Sequence, residues 1–190
     1  ADQTHETADL TEIAAGAGAS AAAGITASVI RNQEAQKAAP GTLTAYLSGN
    51  VIPLKEVGDG VFSEGIMGDG LAMIPENDTL YAPADATVSV LMQDSRHACG
   101  LTLDNGTEIL LHIGIDTVDM KGDGFEYLVS EGQKVSAGTP LIRFDRAKIK
   151  AAGHPDTTVC IITEPGAAEN IRFVTGIKGE ANKTVIATFE

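Results

Sequence analysis

The stretch HACGLTLDNGTEILLHIG, residues 97–114, predicts two antiparallel strands joined by a tight turn. The Asn-Gly pair at 105–106 is the strongest short-range signal for a two-residue hairpin loop. With that loop, Cys99 is expected opposite His112 and His97 opposite Gly114. Side chains alternate between faces, so His97 and His112 become diagonal neighbours on one face, beside a glycine that leaves room for both rings. A shift of one residue would place the histidines on opposite faces.

The chain around this hairpin has the pattern of a β-protein. From residue 40 onward, short apolar runs recur about every 8–12 residues between turn clusters. This spacing predicts an all-β fold, an antiparallel sandwich or barrel-like structure. Only residues 146–153, RAKIKAAG, have a helical pattern, and it ends at a glycine.

The N-terminal region differs in composition from the rest. Residues 1–39 are rich in Ala, Gly and Ser and predict a linker, whereas residues 40–190 predict one folded domain. Residues 13–30 carry no charge, but they contain too few large apolar side chains for a membrane span. A linker of this length suggests a tether to another domain.

Net charge indicates the class of partner, and cysteine spacing indicates whether the chain has metal sites or disulfides. The chain has 26 acidic and 13 basic residues, a formal net charge of −13. This charge argues against nucleic acid, which requires clustered Lys and Arg, and suits a basic protein partner. Cys99 and Cys160 show neither metal-site spacing nor the density of a disulfide framework, and are predicted to be buried, reduced thiols.

The two histidines alone leave three interpretations open: satisfied core residues, a metal site, or a nucleophile with an assistant. A catalytic zinc site normally has three protein ligands, and Asp116 is a weak candidate for the third. A neutral imidazole is a good nucleophile toward phosphorus near neutral pH. The apolar surroundings of His112 would also keep water from a labile phosphohistidine. The pair therefore fits transient phosphoryl carriage better than hydrolysis.

At these residues the sequence resembles the glucose-type enzyme IIA domain of the bacterial phosphoenolpyruvate-dependent sugar phosphotransferase system. Most of residues 48–145 share the likeness, and the motif HIGIDTV…KGDGF with a second histidine fifteen residues upstream is its most specific part. The resemblance implies an antiparallel β-sandwich with a shallow apolar active-site depression. The matching stretches are SGNVIPLKEVGDGVFSEGIMGDGLAMIP (48–75), LYAPADATVSVLMQDSRHACGL (80–101), GTEILLHIGIDTVDMKGDGF (106–125) and VSEGQKVSAGTPLIRFD (129–145).

The resemblance implies roles for four residues at the reaction centre. His112 corresponds to the phosphorylated histidine and His97 to the second histidine, which assists transfer. Ser95 replaces a threonine whose hydroxyl hydrogen-bonds near that second histidine. Asp116 corresponds to a carboxylate at the rim that meets basic residues of partner proteins. Judged without the resemblance, Asp116 would be explained as a turn residue.

The resemblance also implies a partner-binding surface. Asp59 matches another rim acid, and Phe62, Ile66 and Met67 match the apolar wall of the site. Gln93 departs from the pattern, because an apolar rim residue is expected there. Without the resemblance, Asp59 would be assigned to its turn and the three apolar residues to an ordinary core.

The implied function is a relay of phosphate between proteins. The histidine-phosphorylated carrier HPr would donate to His112, and a cysteine of an enzyme IIB domain would accept, while the membrane enzyme IIC admits the sugar. The linker fits fusion to IIB or IIC, which raises the effective concentration of the next partner. The chain is expected to be cytoplasmic, tethered at the inner face of the membrane. No cofactor and no resident metal are expected.

Two alternatives of other classes remain. The strand pattern around residues 81–92 and 129–144 also looks like half of a biotinyl- or lipoyl-type carrier domain, but the lysine that such domains modify is missing after Met92. A zinc peptidase-like hydrolase using His97 and His112 is the other alternative. It predicts zinc bound without any partner protein.

Overall fold

The computed structural model describes residues 41–190, and the predicted linker over residues 1–39 lies outside this range. Strands dominate the described chain, which confirms the all-β prediction. The strands are Gly41–Thr44 (β1), Gly49–Pro53 (β2), Asp69–Pro75 (β3), Thr79–Tyr81 (β4), Ala86–Leu91 (β5), Ala98–Leu103 (β6), Glu108–His112 (β7), Phe125–Tyr127 (β8), Lys134–Val135 (β9), Pro140–Phe144 (β10), Thr158–Glu164 (β11), Arg172–Phe173 (β12), Ile177–Gly179 (β13) and Val185–Phe189 (β14). Two 3-10 helices cover Leu54–Val57 and Thr117–Met120.

The α-helix of the described chain, Arg146–Ala151 (α1), begins at the predicted residue and ends two residues before the predicted glycine. The Asp145 carboxylate accepts a hydrogen bond from the backbone N–H of Lys148 and so caps the first turn. Gly153 follows the helix with φ +85°. Within residues 41–190, no helix is long and apolar enough to cross a membrane.

Antiparallel pairing organises the strands into one large sheet and two small ones. The large sheet has eight strands in the order β13-β2-β3-β11-β7-β6-β5-β9. The strand that ends in His112, β7, therefore lies near the middle of this sheet, between β11 and β6. The small sheets have the orders β1-β14-β12 and β4-β10-β8. His112 is thus held by hydrogen-bonded neighbours on both sides.

The β6–β7 hairpin exists, but its predicted register is wrong by one residue. Ala98, rather than Cys99, lies opposite His112. The loop contains three residues, 104–106, because the backbone N–H of Leu103 donates to the carbonyl of Thr107. Gly106 adopts φ +83°, the left-handed position that ends a three-residue hairpin loop. The Asn-Gly signal located the turn correctly but does not distinguish these two loop lengths.

Alternation along the strands gives the large sheet two different faces. One face packs onto the main core and carries Cys99 and Cys160, both buried and free. Burial raises the pKa of each thiol to about 12, which keeps both thiols protonated and unreactive, as predicted. The other face, here called the histidine face, carries His112 and a smaller apolar cluster: Leu54, Val61, Phe62, Ala72, Ala98, Leu110, Val159 and Ile161.

Candidate active site

His112 ends β7 and is fully buried. Its neighbours in the sheet, Ala98 on β6 and Val159 on β11, are apolar. The Nδ1 atom lies 2.8 Å from the carbonyl oxygen of Gly114. A carbonyl only accepts, so Nδ1 carries the proton and Nε2 of the neutral ring keeps its lone pair. The nitrogen distal to the backbone is therefore the nucleophilic one.

Gly114 has a different role from the predicted one. Its φ is +73°, and a Cβ there would lie 2.4 Å from Cγ2 of Thr117 and 3.0 Å from the carbonyl oxygen of Pro155. The space at Gly114 is filled by these two residues, so the glycine does not make room for the histidine rings. It is required because the chain turns sharply here, and this turn aims its carbonyl at His112.

His97 meets His112 by a route that the sequence did not indicate. In the observed register, strict alternation would direct His97 toward the main core. However, β6 begins only at Ala98, and Arg96 has φ +53°. His97 therefore lies between a left-handed residue and the first residue of the strand, where strict alternation does not apply. The two imidazole rings lie edge to face, with centroids 4.6 Å apart and planes at 85°.

The charge state of His97 follows from its environment. The residue is fully buried. Burial first, and then the neighbouring His112 ring, lower the pKa of His97 well below its usual value. His97 is therefore neutral at neutral pH and presents one N–H donor. The pair thus places a neutral imidazole with one N–H donor beside the ring of His112.

Tyr127, which the sequence analysis did not identify as a site residue, fixes the loop that carries His97. Its hydroxyl accepts from the backbone N–H of Met92 at 2.9 Å and donates to the carbonyl of Ala98 at 2.5 Å. One side chain thereby joins the two ends of the turn that contains Arg96 and His97. Tyr127 lies on β8 in a different sheet, so its sequence position gave no signal for this contact.

The apolar wall begins at Phe62. Its ring is buried and lies 5.0 Å from the His112 ring, centroid to centroid, at 55°. The turn that presents this ring is closed by Asp59, whose carboxylate accepts from the backbone N–H groups of Val61, Phe62 and Ser63 at 3.0–3.3 Å. Asp59 thus has a clear local role in addition to the predicted role at the rim.

The other two predicted wall residues lie farther out. Met67 is half-buried and packs against the apolar cluster of the histidine face. Ile66 is 66% exposed, the most exposed large apolar side chain of the described chain. Ile66 is therefore not part of the buried wall that contains Phe62.

Ser95 and Asp116 flank the pair along the chain. Ser95 is buried, but its Oγ has no hydrogen-bond partner among the described residues, so the expected hydroxyl contact near His97 is not seen. Asp116 is half-buried, with φ +59°. It precedes the 3-10 helix Thr117–Met120 without a side-chain capping bond to it. Its carboxylate is therefore not explained as a cap of this turn.

Comparison with known proteins gives a consistent result. Residues 41–167 match the family model described as phosphoenolpyruvate-dependent sugar phosphotransferase system, EIIA 1. The chain is 41% identical over 145 residues to the PTS system glucose-specific EIIA component of Bacillus cereus, which covers 76% of this chain and 87% of that protein. A solved structure, glucose permease IIA from Mycoplasma capricolum, superposes with a TM-score of 0.71 at 32% identity, covering 80% of this chain and 96% of that one.

A second kind of relative is much longer. The PTS system glucose-specific EIIBCA component of Corynebacterium glutamicum is 41% identical over 144 residues, which is 76% of this chain. The chain spans about a fifth of that relative's length, 21%. The name of that relative places the A component together with B and C components in one polypeptide.

Proposed function

The chain belongs to the EIIA 1 family of the phosphoenolpyruvate-dependent sugar phosphotransferase system, and on that premise we propose that Nε2 of His112 carries a phosphoryl group from one protein to another. The observation that carries the proposal is the contact between Nδ1 of His112 and the carbonyl of Gly114. This hydrogen bond fixes the tautomer in which Nε2 has a free lone pair. The same carbonyl favours the positive charge that the ring gains when Nε2 is phosphorylated.

Phosphate uptake is a displacement at phosphorus. The donor is the phosphohistidine of HPr, and the lone pair of Nε2 attacks its phosphorus atom. The phosphorus–nitrogen bond of the donor breaks, and its electron pair returns to the donor imidazole. On transfer to a cysteine thiolate of enzyme IIB, a sulfur–phosphorus bond forms and the electron pair returns to Nε2 of His112. No oxidant, reductant or metal is needed for this balance.

His97 acts on the phosphoryl group and forms no bond to it. Its ring lies 4.6 Å from that of His112, centroid to centroid, and its lowered pKa keeps it neutral. One N–H can donate to an equatorial oxygen of the phosphoryl group, where negative charge is spread in the loose transition state. The apolar residues Phe62 and Val159 exclude water and so protect the phosphohistidine from hydrolysis.

Partner binding uses the surface around the histidines. Ile66 and Met67 supply apolar contact, whereas Asp116 and Asp59 supply negative charge at the rim. The net charge of −13 attracts a basic surface over long range and speeds association. HPr as donor and a IIB domain as acceptor are the partners that this surface would serve. The fused relatives support a IIB domain as a neighbour.

The function is tested by incubating the chain with phosphoenolpyruvate, enzyme I and HPr, and measuring its intact mass. The expected result is the addition of one acid-labile phosphoryl group, absent in His112→Gln and present in the matched control His154→Gln. His154 follows helix α1 and is not one of the two paired histidines. Uptake by His112→Gln equal to that of the unaltered chain would refute the proposal.

The two alternative functions are not favoured. The turn after β5 contains Gln93, Asp94 and Ser95 and no lysine for biotin or lipoate. Within residues 41–190, no three side chains among His, Cys, Asp and Glu converge as a metal site. The family relationship supports phosphoryl carriage instead of either chemistry.

A further inference from the structure

A polar pocket, separate from the histidine pair, lies on the histidine face at the opposite end of β7 from His112. Its volume is about 480 Å³, which is within the range of small-molecule sites. Glu108 and His112 are four residues apart on one strand and share its face, so their Cα atoms are separated by about 13 Å. The polar residues that line the pocket are Thr87, Ser89, Thr102, Asp104, Glu108 and Glu131.

Glu108 is the unusual member of this pocket. It is 1% exposed, and neither of its carboxylate oxygens has a hydrogen-bond partner among the described residues. A buried carboxylate without partners is costly, and native structures rarely contain one without a reason. Burial first, and then the charge of Glu164 on the adjacent strand β11, raise the pKa of Glu108. The relay through His112 makes no use of this residue.

The rest of the lining indicates which charge a ligand of this pocket would carry. Asp104 and Glu131 add carboxylates, and no Lys, Arg or His side chain is among the residues that line this pocket. The hydroxyl of Ser89 is also buried and lacks a partner within the described chain. These groups accept hydrogen bonds and favour positive charge. They therefore suit a positively charged ligand that donates hydrogen bonds.

Two other ligand classes fit less well. A sugar ring usually packs on an aromatic side chain, and none is among the lining residues. A divalent metal ion needs several convergent ligands, and no group of three candidate side chains converges within residues 41–190. An ammonium group requires only one carboxylate and one or two neutral acceptors, which Glu108 and Ser89 provide.

We propose that this pocket binds a small organic cation through a primary ammonium group, with the Glu108 carboxylate as counter-ion and the Ser89 hydroxyl as a second acceptor. The cross-strand row Thr87, Thr102 and Glu108 forms the base of the site. The pocket shares no residue with the histidine pair. Its occupation therefore does not depend on the proposed phosphoryl transfer.

The test uses 1,4-diaminobutane as the probe and 1,4-butanediol as its uncharged counterpart, with the unphosphorylated full chain at low ionic strength. The expected result is a saturable change in the amide NMR signals of Thr87, Thr102 and Glu108 with the diamine and none with the diol. Glu108→Gln should weaken binding by at least about tenfold, the loss of one charge-assisted hydrogen bond.

A matched control and a stability readout keep the test decisive. Glu126→Gln removes the same charge from an exposed residue on β8 that pairs with Arg143 outside the pocket, and should leave binding unchanged. Glu108→Gln should fold and melt no lower than the unaltered chain, because it removes an unpaired buried charge. Equal binding of the diamine to Glu108→Gln, equal response to the diol, or no saturable binding would each overturn the proposal. Because no phosphoryl donor is present, these outcomes are independent of the relay.

Discussion

The imidazole rings of His97 and His112 lie edge to face, with centroids 4.6 Å apart and both residues fully buried. One ring has its proton placed by a backbone carbonyl, and the other is held neutral by burial. The proposed roles, nucleophile for His112 and donor for His97, lead to separate expectations for each residue and for the groups that position them.

His97→Gln should still accept phosphate on His112 but pass it on slowly. The substitution removes the imidazole N–H that we propose acts in the transition state, and the loss of one such donor costs about 100- to 1000-fold in rate. Phosphate uptake from HPr and onward transfer to a IIB domain are measured separately by rapid quenching. His154→Gln is the matched control. Onward transfer at the unaltered rate would remove His97 from the mechanism.

Tyr127→Phe should impair onward transfer through His97. The variant keeps the ring but removes the hydroxyl that joins Met92 to Ala98. We expect a reduction of about tenfold, because a small displacement of a catalytic group is costly. In His97→Gln the same substitution should have no further effect on the rate, which a double-mutant cycle measures.

A tyrosine elsewhere provides the control for Tyr127. The hydroxyl of Tyr46 is buried and donates to the carbonyl of Thr158 at 2.8 Å. Tyr46→Phe should therefore lose a similar amount of stability, about 1 kcal/mol, without a change in the transfer rate. If Tyr127→Phe lowers the rate equally in the presence and absence of His97, its role is general stability and not the placement of His97.

The stability of the chain should fall as pH decreases below about 6.5, the usual histidine pKa. Folding lowers the pKa of His97, so in this window the unfolded chain binds more protons than the folded chain. The stabilising contribution of neutral His97 is complete above the unfolded pKa and is lost as pH falls toward the folded value. Urea unfolding at a series of pH values measures how the free energy of unfolding depends on pH. His97→Gln should flatten the dependence between about pH 6.5 and pH 5, and an unchanged slope would contradict the account.

Asp59→Asn should separate the two roles of this residue. The amide oxygen can still accept from the backbone N–H groups of Val61 and Ser63, which donate to Oδ1, but the N–H of Phe62, which donates to Oδ2, loses its acceptor, and the negative charge is gone. The melting temperature should therefore fall less than in Asp59→Ala, while association with HPr weakens and becomes less dependent on salt. Asp59→Ala should lose both the hydrogen bonds that close the turn and the negative charge, so its melting temperature and its association with HPr should both decrease. If the Asn variant associates with HPr as the unaltered chain does at every salt concentration, Asp59 acts only in closing its turn and not in partner binding.

Much of the fold followed from local patterns. Alternating strands, the short helix after Asp145 and the hairpin between β6 and β7 all occur where the sequence indicated. These features depend on side-chain period and turn chemistry, which neighbouring residues determine. Their arrangement into sheets of eight, three and three strands depends on distant pairing. No short stretch of sequence specifies that pairing.

The sequence predicted which two histidines lie together in the candidate site, but not the backbone geometry that brings them together. The convergence of His97 and His112 was predicted from a two-residue loop, yet the loop has three residues, and His97 reaches His112 from a position before the first residue of β6. The positive φ of Arg96, the residue before His97, has no clear sequence signal, because it is imposed by the surrounding structure. The contact of Tyr127 with the His97 loop joins two sheets, and it too was invisible in the local pattern.

The measurement that tests the central claim most directly is the position of the phosphoryl group on the His112 ring. Long-range proton–nitrogen NMR of the chain, phosphorylated through HPr, distinguishes the two ring nitrogens. The account predicts phosphate on Nε2 of His112, with Nδ1 protonated and bonded to the carbonyl of Gly114. Phosphate on Nδ1, or on any residue other than His112, would contradict it.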